Sequence, residues 1–110
     1  MAVTNITDEE FSQTINDGKV IVKYYASWCG ICTQFAPKFK RLSDDPKYSD
    51  INFVEVMAEQ NPKARIAAGV ISLPYIATFE NGIKVETVSS NQEAETVALL
   101  ENLQRTLQED

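Results

Sequence analysis

The sequence predicts an α/β fold in which a mixed central β-sheet is sandwiched by helices on both faces. Segments rich in strand-forming residues alternate with segments of helical periodicity, which is typical of a sheet with helical crossovers. The segment from Lys19 to Tyr25 is apolar on both faces, as expected for a central strand covered by helices on each side. An Asn-Gly turn between the last two strand segments predicts an antiparallel hairpin, so the sheet should be mixed.

The length and charge of the chain limit its class. At 110 residues, with 44% hydrophobic and 24% charged residues, it is long enough for one core, and we predict a single domain over residues 1–110. The net charge of -6 favours a monomer and argues against a nucleic-acid partner, which would need a clustered basic face. No apolar run approaches the roughly 20 residues that span a bilayer, so we predict no membrane association. The first residues lack the features of a secretory signal, and we therefore expect a cytoplasmic protein.

The first third of the chain predicts a strand, a helix and a second strand. Ala2 to Asn5 form a short edge strand. A capping box from Thr7 to Glu10 starts the helix, which turns Phe11 and Ile15 inward and ends at Asp17-Gly18. The apolar central strand follows directly.

The middle of the chain predicts a long helix and a further strand. The helix runs from Thr33 to Ser43 and should kink at Pro37, because proline removes one helical hydrogen bond. Asp44-Asp45-Pro46 ends it. Ile51 to Met57 is a second apolar strand.

The last third of the chain predicts a short helix, a hairpin and a terminal helix. The short helix runs from Lys63 to Ala68, and the hairpin strands are Tyr75 to Phe79 and Lys84 to Val88. A capping box from Ser90 to Glu93 should start the terminal helix. Its inward face is predicted to consist of Ala94, Val97, Leu100, Leu103 and Leu107.

The segment Trp28-Cys29-Gly30-Ile31-Cys32 contains both cysteines and the single tryptophan of the chain. It lies between the central strand and the long helix, so Cys29 should lie at a helix N-terminus, where free amides and the helix dipole favour the thiolate. Cys32, one turn further, lies on the same face and can attack a mixed disulfide, while Gly30 leaves the approach open. The segment therefore predicts a redox-active thiol pair.

Other interpretations of the pair are weaker. A structural zinc site needs about four ligands, whereas the chain offers two thiols and no histidine, so we predict no metal site within one chain. A metal or an iron–sulfur cluster shared between subunits stays open. A purely structural disulfide would close so short a loop that it would restrict the unfolded chain little.

The motif resembles the active site of the thioredoxin family, whose usual form has proline in place of Ile31. Three further segments resemble the family in order: Gln60-Asn61-Pro62 its third-helix entry, Ser72-Leu73-Pro74 its cis-proline loop, and Phe79-Glu80-Asn81-Gly82 its hairpin. The resemblance implies the thioredoxin fold and thiol–disulfide exchange.

The resemblance also implies roles for individual residues. Cys29 would be the attacking nucleophile and Cys32 the resolving thiol, with Trp28 packed beside them. Pro74, in cis, would direct the Leu73 backbone at an extended substrate, which could pair as an added strand.

Two departures from the family bear on the chemistry. Ile31 replaces a proline that is typical of the reducing members, which implies a more oxidising pair. Lys23 stands where the family usually has a buried aspartate, and Glu55 stands where it usually has the partner lysine. Strand alternation places both on faces that can meet, so we predict an ion pair with its signs exchanged beneath the cysteines. The alternative is that Lys23 extends outward and Glu55 is merely solvated.

The implied function is that of a protein-disulfide oxidoreductase in electron transport and cell redox homeostasis. It would need no bound cofactor, because the Cys29–Cys32 pair is the redox centre. Its partners would be disulfide-containing proteins and a flavin-dependent thioredoxin reductase or a similar donor. The alternative is a partner-specific redox sensor or docking module with the same fold and little turnover.

Overall fold

The computed structural model describes residues 3–106, which contain a mixed sheet, four α-helices and two short 3₁₀ helices, Pro46–Tyr48 and Ala58–Gln60. The strands are β1 (Thr4–Asn5), β2 (Lys19–Tyr25), β3 (Ile51–Met57), β4 (Tyr75–Glu80) and β5 (Ile83–Val88). The helices are α1 (Asp8–Ile15), α2 (Gly30–Ser43), α3 (Pro62–Ala68) and α4 (Glu93–Arg105). The sheet order is β1-β3-β2-β4-β5, with β1, β3 and β2 parallel and β4 and β5 antiparallel to their neighbours. The predicted α/β class is confirmed.

Helices cover both faces of the sheet, as predicted, and each face has its own apolar core. On one face, α1 and α3 pack against β2, β3 and β4 through Phe11, Ile15, Ala64 and Ala68. On the other face, α2 and α4 pack through a second set of buried side chains: Phe35, Phe39, Leu42, Leu99, Leu100 and Leu103. Strand β2 lies between β3 and β4 and is the central strand of the sequence prediction.

Local signals in the sequence locate several element ends correctly. The capping box of α1 is present, with the Glu10 carboxylate accepting from the Thr7 amide at 2.9 Å. The hairpin turn consists of Asn81 and Gly82, whose φ angles of 51° and 88° are the left-handed values that a two-residue turn requires. Helix α2 ends at Ser43, before the predicted break.

The predicted start of α4 is wrong. The helix begins at Glu93 with Gln92 as its N-cap, and no side chain caps it. Ser90 instead accepts a hydrogen bond from the Gln92 amide at 2.9 Å, a local turn that competes with helix formation.

The inward face of α4 also differs from the prediction. Ala94 is exposed and Val97 only half-buried, whereas Thr96 and Leu99 are buried beside the predicted Leu100 and Leu103. Leu107 and Ala2, which were assigned to this helix and to the first strand, lie outside the described residues. Within residues 3–106, no helix combines the length and the hydropathy needed to cross a bilayer.

Candidate active site

The cysteine segment begins where β2 ends, at the carboxyl end of the parallel strands. Between Tyr25 and Trp28 the chain turns, and Glu59 holds this turn. Its carboxylate accepts from the Ser27 amide at 2.7 Å and from the Ser27 hydroxyl at 2.8 Å. The loop that presents the cysteines is therefore held by the short 3₁₀ helix Ala58–Gln60, which follows the neighbouring strand β3.

Cys29 and Cys32 form a disulfide across the first turn of α2, with their Cα atoms 5.3 Å apart. Cys29 is the N-cap of the helix, which begins three residues earlier than its sequence pattern predicts. Its sulfur accepts from the Cys32 amide at 3.2 Å, so Cys29 replaces the serine or aspartate that usually occupies such a position. At this position, unpaired amides and the helix dipole stabilise negative charge on the sulfur.

The loop before β4 packs against the disulfide. Leu73, which is half-buried, contacts the small cluster that Ala26, Cys29 and Cys32 form. The Leu73–Pro74 peptide is cis, as the family resemblance implies, and Pro74 is buried.

Trp28 and Ile31 flank the disulfide with large exposed surfaces. Trp28 is 73% exposed and lines a cavity of about 270 Å³ whose wall includes Leu73. Ile31 is 51% exposed and lines a cavity of about 160 Å³ with Leu73, Pro74 and Ser89. Exposed apolar side chains therefore lie on both sides of the disulfide, in cavities that polar residues also line.

Lys23 and Glu55 form the ion pair that strand alternation predicts. They are direct neighbours in the parallel pairing of β2 with β3, and the Lys23 Nζ lies 3.1 Å from the Glu55 carboxylate. The Lys23 side chain is 4% exposed, and its Nζ lies 5.6 Å from the ring centroid of Tyr25 and 5.4 Å from that of Phe39. The Glu55 side chain is 26% exposed and also accepts a hydrogen bond from the side-chain amide of Asn5 at 3.3 Å. Lys23 does not extend outward.

The ion pair shares a cavity with the second cysteine. This cavity, of about 200 Å³, is lined by Lys23, Glu55, Cys32 and Thr33 among others. A space of this size with polar walls has room for water. Burial raises the pKa of Tyr25 on the same wall, although a hydrogen bond from Asn5 acts in the opposite direction.

Comparisons with known proteins agree with this geometry. The family model described as Thioredoxin matches residues 2–104. The chain belongs to the thioredoxin family. Among thioredoxins, it is 31% identical to that of Staphylococcus saprophyticus over 98 residues, which cover 89% of this chain and 93% of the relative. It is 35% identical to Thioredoxin-1 of Schizosaccharomyces pombe over 88 residues, which cover 78% and 84%.

Solved thioredoxin structures have the same fold. That of Malassezia sympodialis thioredoxin superposes with a TM-score of 0.85 at 26% identity and covers 92% of this chain and 90% of its own. That of Plasmodium falciparum thioredoxin gives 0.84 at 26% identity and covers 91% and 98%. Together with the cysteine pair at disulfide distance, these matches identify a thiol–disulfide oxidoreductase.

Membership in the thioredoxin family also sets the general requirements of the reaction. Thioredoxins use their own cysteine pair as the redox centre, act on disulfides in proteins and depend on a reductase partner. Within residues 3–106, no three metal-ligating side chains come together. A cavity of about 290 Å³ at the amino ends of β2 and β3 contains none of the predicted site residues.

Sequence reasoning did not single out Glu59 or Asn5. Glu59 fixes Ser27 from 32 positions away, and Asn5 contacts Glu55 from 50 positions away. Neither position has a local pattern that marks it, because both contacts depend on which strands become neighbours.

Proposed function

We propose that the protein reduces disulfides in partner proteins, with Cys29 as the attacking nucleophile and Cys32 as the resolving thiol. The position of Cys29 at the N-cap of α2, with its sulfur beside the Cys32 amide, supports these roles. Cys29 is 8% exposed and Cys32 is 3% exposed, so an incoming disulfide has better access to Cys29.

The proposed reaction transfers two electrons from the dithiol to the substrate. The Cys29 thiolate attacks one sulfur of the substrate disulfide, a bond forms between them, and the other substrate sulfur leaves as a thiolate that takes up a proton. Cys32 then loses its proton and attacks the Cys29 sulfur. The Cys29–Cys32 disulfide forms, and the second substrate sulfur leaves.

The residues around the disulfide would position the substrate. Leu73 and Pro74 would receive the chain next to the substrate cysteine, because Leu73 packs directly against the cysteine pair. Trp28 and Ile31 would contact apolar parts of a protein partner, since both present large exposed surfaces there. Gly30, which is exposed between the cysteines, would keep the approach open.

Lys23 and Glu55 would support the resolving step. The ammonium of Lys23 lines the same cavity as Cys32 and would favour the Cys32 thiolate by attraction. Glu55, which is partly exposed, would accept the Cys32 proton through water in this cavity.

The physiological setting follows from the family and from the composition. A flavin-dependent reductase would return two electrons and two protons to the disulfide and thereby complete an electron-transport chain. We propose a cytoplasmic location, a reducing compartment in which a close cysteine pair is more often catalytic than structural. A net charge of -6 favours the monomer.

The proposed roles are tested by measuring how the protein and its variants catalyse the reduction of insulin disulfides, with either dithiothreitol or NADPH and a reductase as the source of electrons. Turnover should disappear in Cys29→Ser, whereas reduced Cys32→Ser, mixed with insulin in the absence of dithiothreitol and reductase, should still attack and accumulate a mixed disulfide that mass spectrometry detects. Accumulation in Cys29→Ser instead would reverse the assignment. A measurable thiol–disulfide transition without any turnover would support the sensor.

Titration of the two thiols tests the role of Lys23. In Lys23→Met the pKa of Cys32 should rise, because the attraction of the ammonium is lost. Unchanged thiol pKa values would mean that Lys23 has no electrostatic part in the reaction.

A further inference from the structure

One of the cavities at the disulfide has an apolar wall that lies open to solvent. The wall of the 270 Å³ cavity includes Trp28 and Ile71, which are 73% and 89% exposed. Leu73 belongs to the same wall and also packs against the cluster of Ala26, Cys29 and Cys32, so the cavity adjoins the cysteine pair. Apolar surface of this extent next to a reactive centre marks a place that a partner covers.

Two charged residues line this cavity, and they differ in whether the charged group already has hydrogen-bond partners. The Glu59 carboxylate is occupied by the amide and the hydroxyl of Ser27, at 2.7 and 2.8 Å. Arg65 lies on the exposed side of α3, and its guanidinium has no hydrogen-bond or ion-pair partner among residues 3–106. Its guanidinium is therefore available to a bound partner.

The chemistry of Arg65 indicates what this partner presents. A guanidinium stays charged at all working pH values and binds a carboxylate through two parallel N–H groups. Arg65 is the one cation among the described residues that line this cavity, so a partner group that pairs with its free guanidinium would be acidic rather than basic.

We propose that Arg65 makes this cavity, whose apolar wall includes Trp28, Ile71 and Leu73, select substrate segments that have a carboxylate beside a bulky apolar side chain close to the reacting cysteine. The apolar side chain lies against Trp28 and Ile71, and the carboxylate pairs with Arg65. This inference rests on the proposed function, since it names the protein substrates that the cysteine pair reduces.

Symmetric disulfides of short cysteine peptides provide the test. One pair of peptides has leucine and either glutamate or glutamine before the cysteine, and a second pair has the same residues after it. Each peptide disulfide is mixed with the reduced protein, and its cleavage is followed by chromatography. The quantity compared is the ratio of the second-order rate constant for cleavage of the glutamate peptide to that for its glutamine twin, so a general loss of activity in a variant cancels.

The wild-type ratio should be about two- to fivefold in one of the two orientations, the range expected for an accessible ion pair. It should fall to about one in Arg65→Gln, and in Arg65→Glu the protein should prefer a lysine peptide. Lys84→Glu is the control for Arg65→Glu, because it makes the same change of net charge on β5, outside this cavity. It should keep the wild-type ratio. The ratio should also fall as salt is raised.

Two results would overturn the inference. One is a ratio of one in both orientations for the wild type, and the other is a preference for glutamate that persists in Arg65→Gln. Failure of the proposed function looks different, because the wild type would then cleave none of the peptide disulfides.

Discussion

The Lys23–Glu55 pair predicts an unequal response to the loss of its two charges. At 3.1 Å and an effective dielectric constant of about 20, the attraction between them is about 5 kcal/mol before desolvation is subtracted. Removing one partner of a buried pair typically costs about 3–5 kcal/mol, because the other charge is left behind. Which charge is left behind should therefore decide the loss.

Lys23→Met leaves Glu55, whose side chain is 26% exposed and keeps its contact with Asn5. We expect the free energy of unfolding to fall by about 3 kcal/mol, at the low end of the range. Glu55→Gln leaves the ammonium of Lys23, which is 4% exposed, and should cost about 4 kcal/mol or more. The double variant has no uncompensated charge and should be no less stable than Glu55→Gln alone.

Urea unfolding of the four oxidised proteins measures this cycle. A coupling energy of about 3 kcal/mol is expected for residues in contact. The surface pair Lys47–Glu101 is a matched control with side chains 58% and 37% exposed, and its coupling should be much smaller. Additive losses at Lys23 and Glu55, or a larger loss in Lys23→Met than in Glu55→Gln, would refute the reasoning.

Three further predictions concern other parts of the molecule. Tyr24→Phe removes a 2.8 Å hydrogen bond to the Ala64 carbonyl and should cost about 1–2 kcal/mol in urea unfolding. Because burial raises the pKa of Tyr24, its contribution to stability is complete below pH 10 and lost above it. The difference in free energy of unfolding between the wild type and Tyr24→Phe should therefore become smaller at alkaline pH. The hydrogen bond from Lys47 lowers the pKa of Glu101 in the folded protein. The contribution of Glu101 to stability is therefore present above its unfolded pKa and is lost as the pH falls through the lower folded pKa. Glu101→Gln should accordingly flatten the acid side of a plot of stability against pH. Ile31→Pro should leave stability nearly unchanged, because the first-turn amides of α2 have no helical partner. The substitution should make the reduction potential of the cysteine pair more negative, as measured in a series of glutathione buffers. An equal or higher potential would contradict the inference from the family.

Much of the fold follows from local pattern, and the errors lie where local signals compete. A strand that is apolar on both faces, such as β2, is favourable only at the centre of a covered sheet, and the Asn81-Gly82 sequence favours a hairpin turn. Both features were predicted correctly. Ser90 has two favourable structures, a helix cap and a local turn, and the second is adopted. Helix α4 then begins later, and its buried face includes Thr96 and Leu99.

The site was predictable only in part for a similar reason. The cysteine spacing and the strand before it place Cys29 at a helix start, and alternation places Lys23 opposite Glu55. The contacts of Glu59 with Ser27 and the position of Arg65 at the cavity depend on how distant segments come together. No spacing along the chain encodes these contacts.

The hydrogen bond between the Cys32 amide and the Cys29 sulfur, which caps α2, should respond to the redox state of the protein. The Cys32 amide donates to the Cys29 sulfur, the same atom that gains and loses covalent partners during exchange. Each such change alters the acceptor of one backbone N–H group without requiring any movement of the helix. The amide resonance of Cys32 should thus distinguish disulfide, thiolate and mixed disulfide in solution, which provides a probe of each catalytic intermediate that needs no attached label.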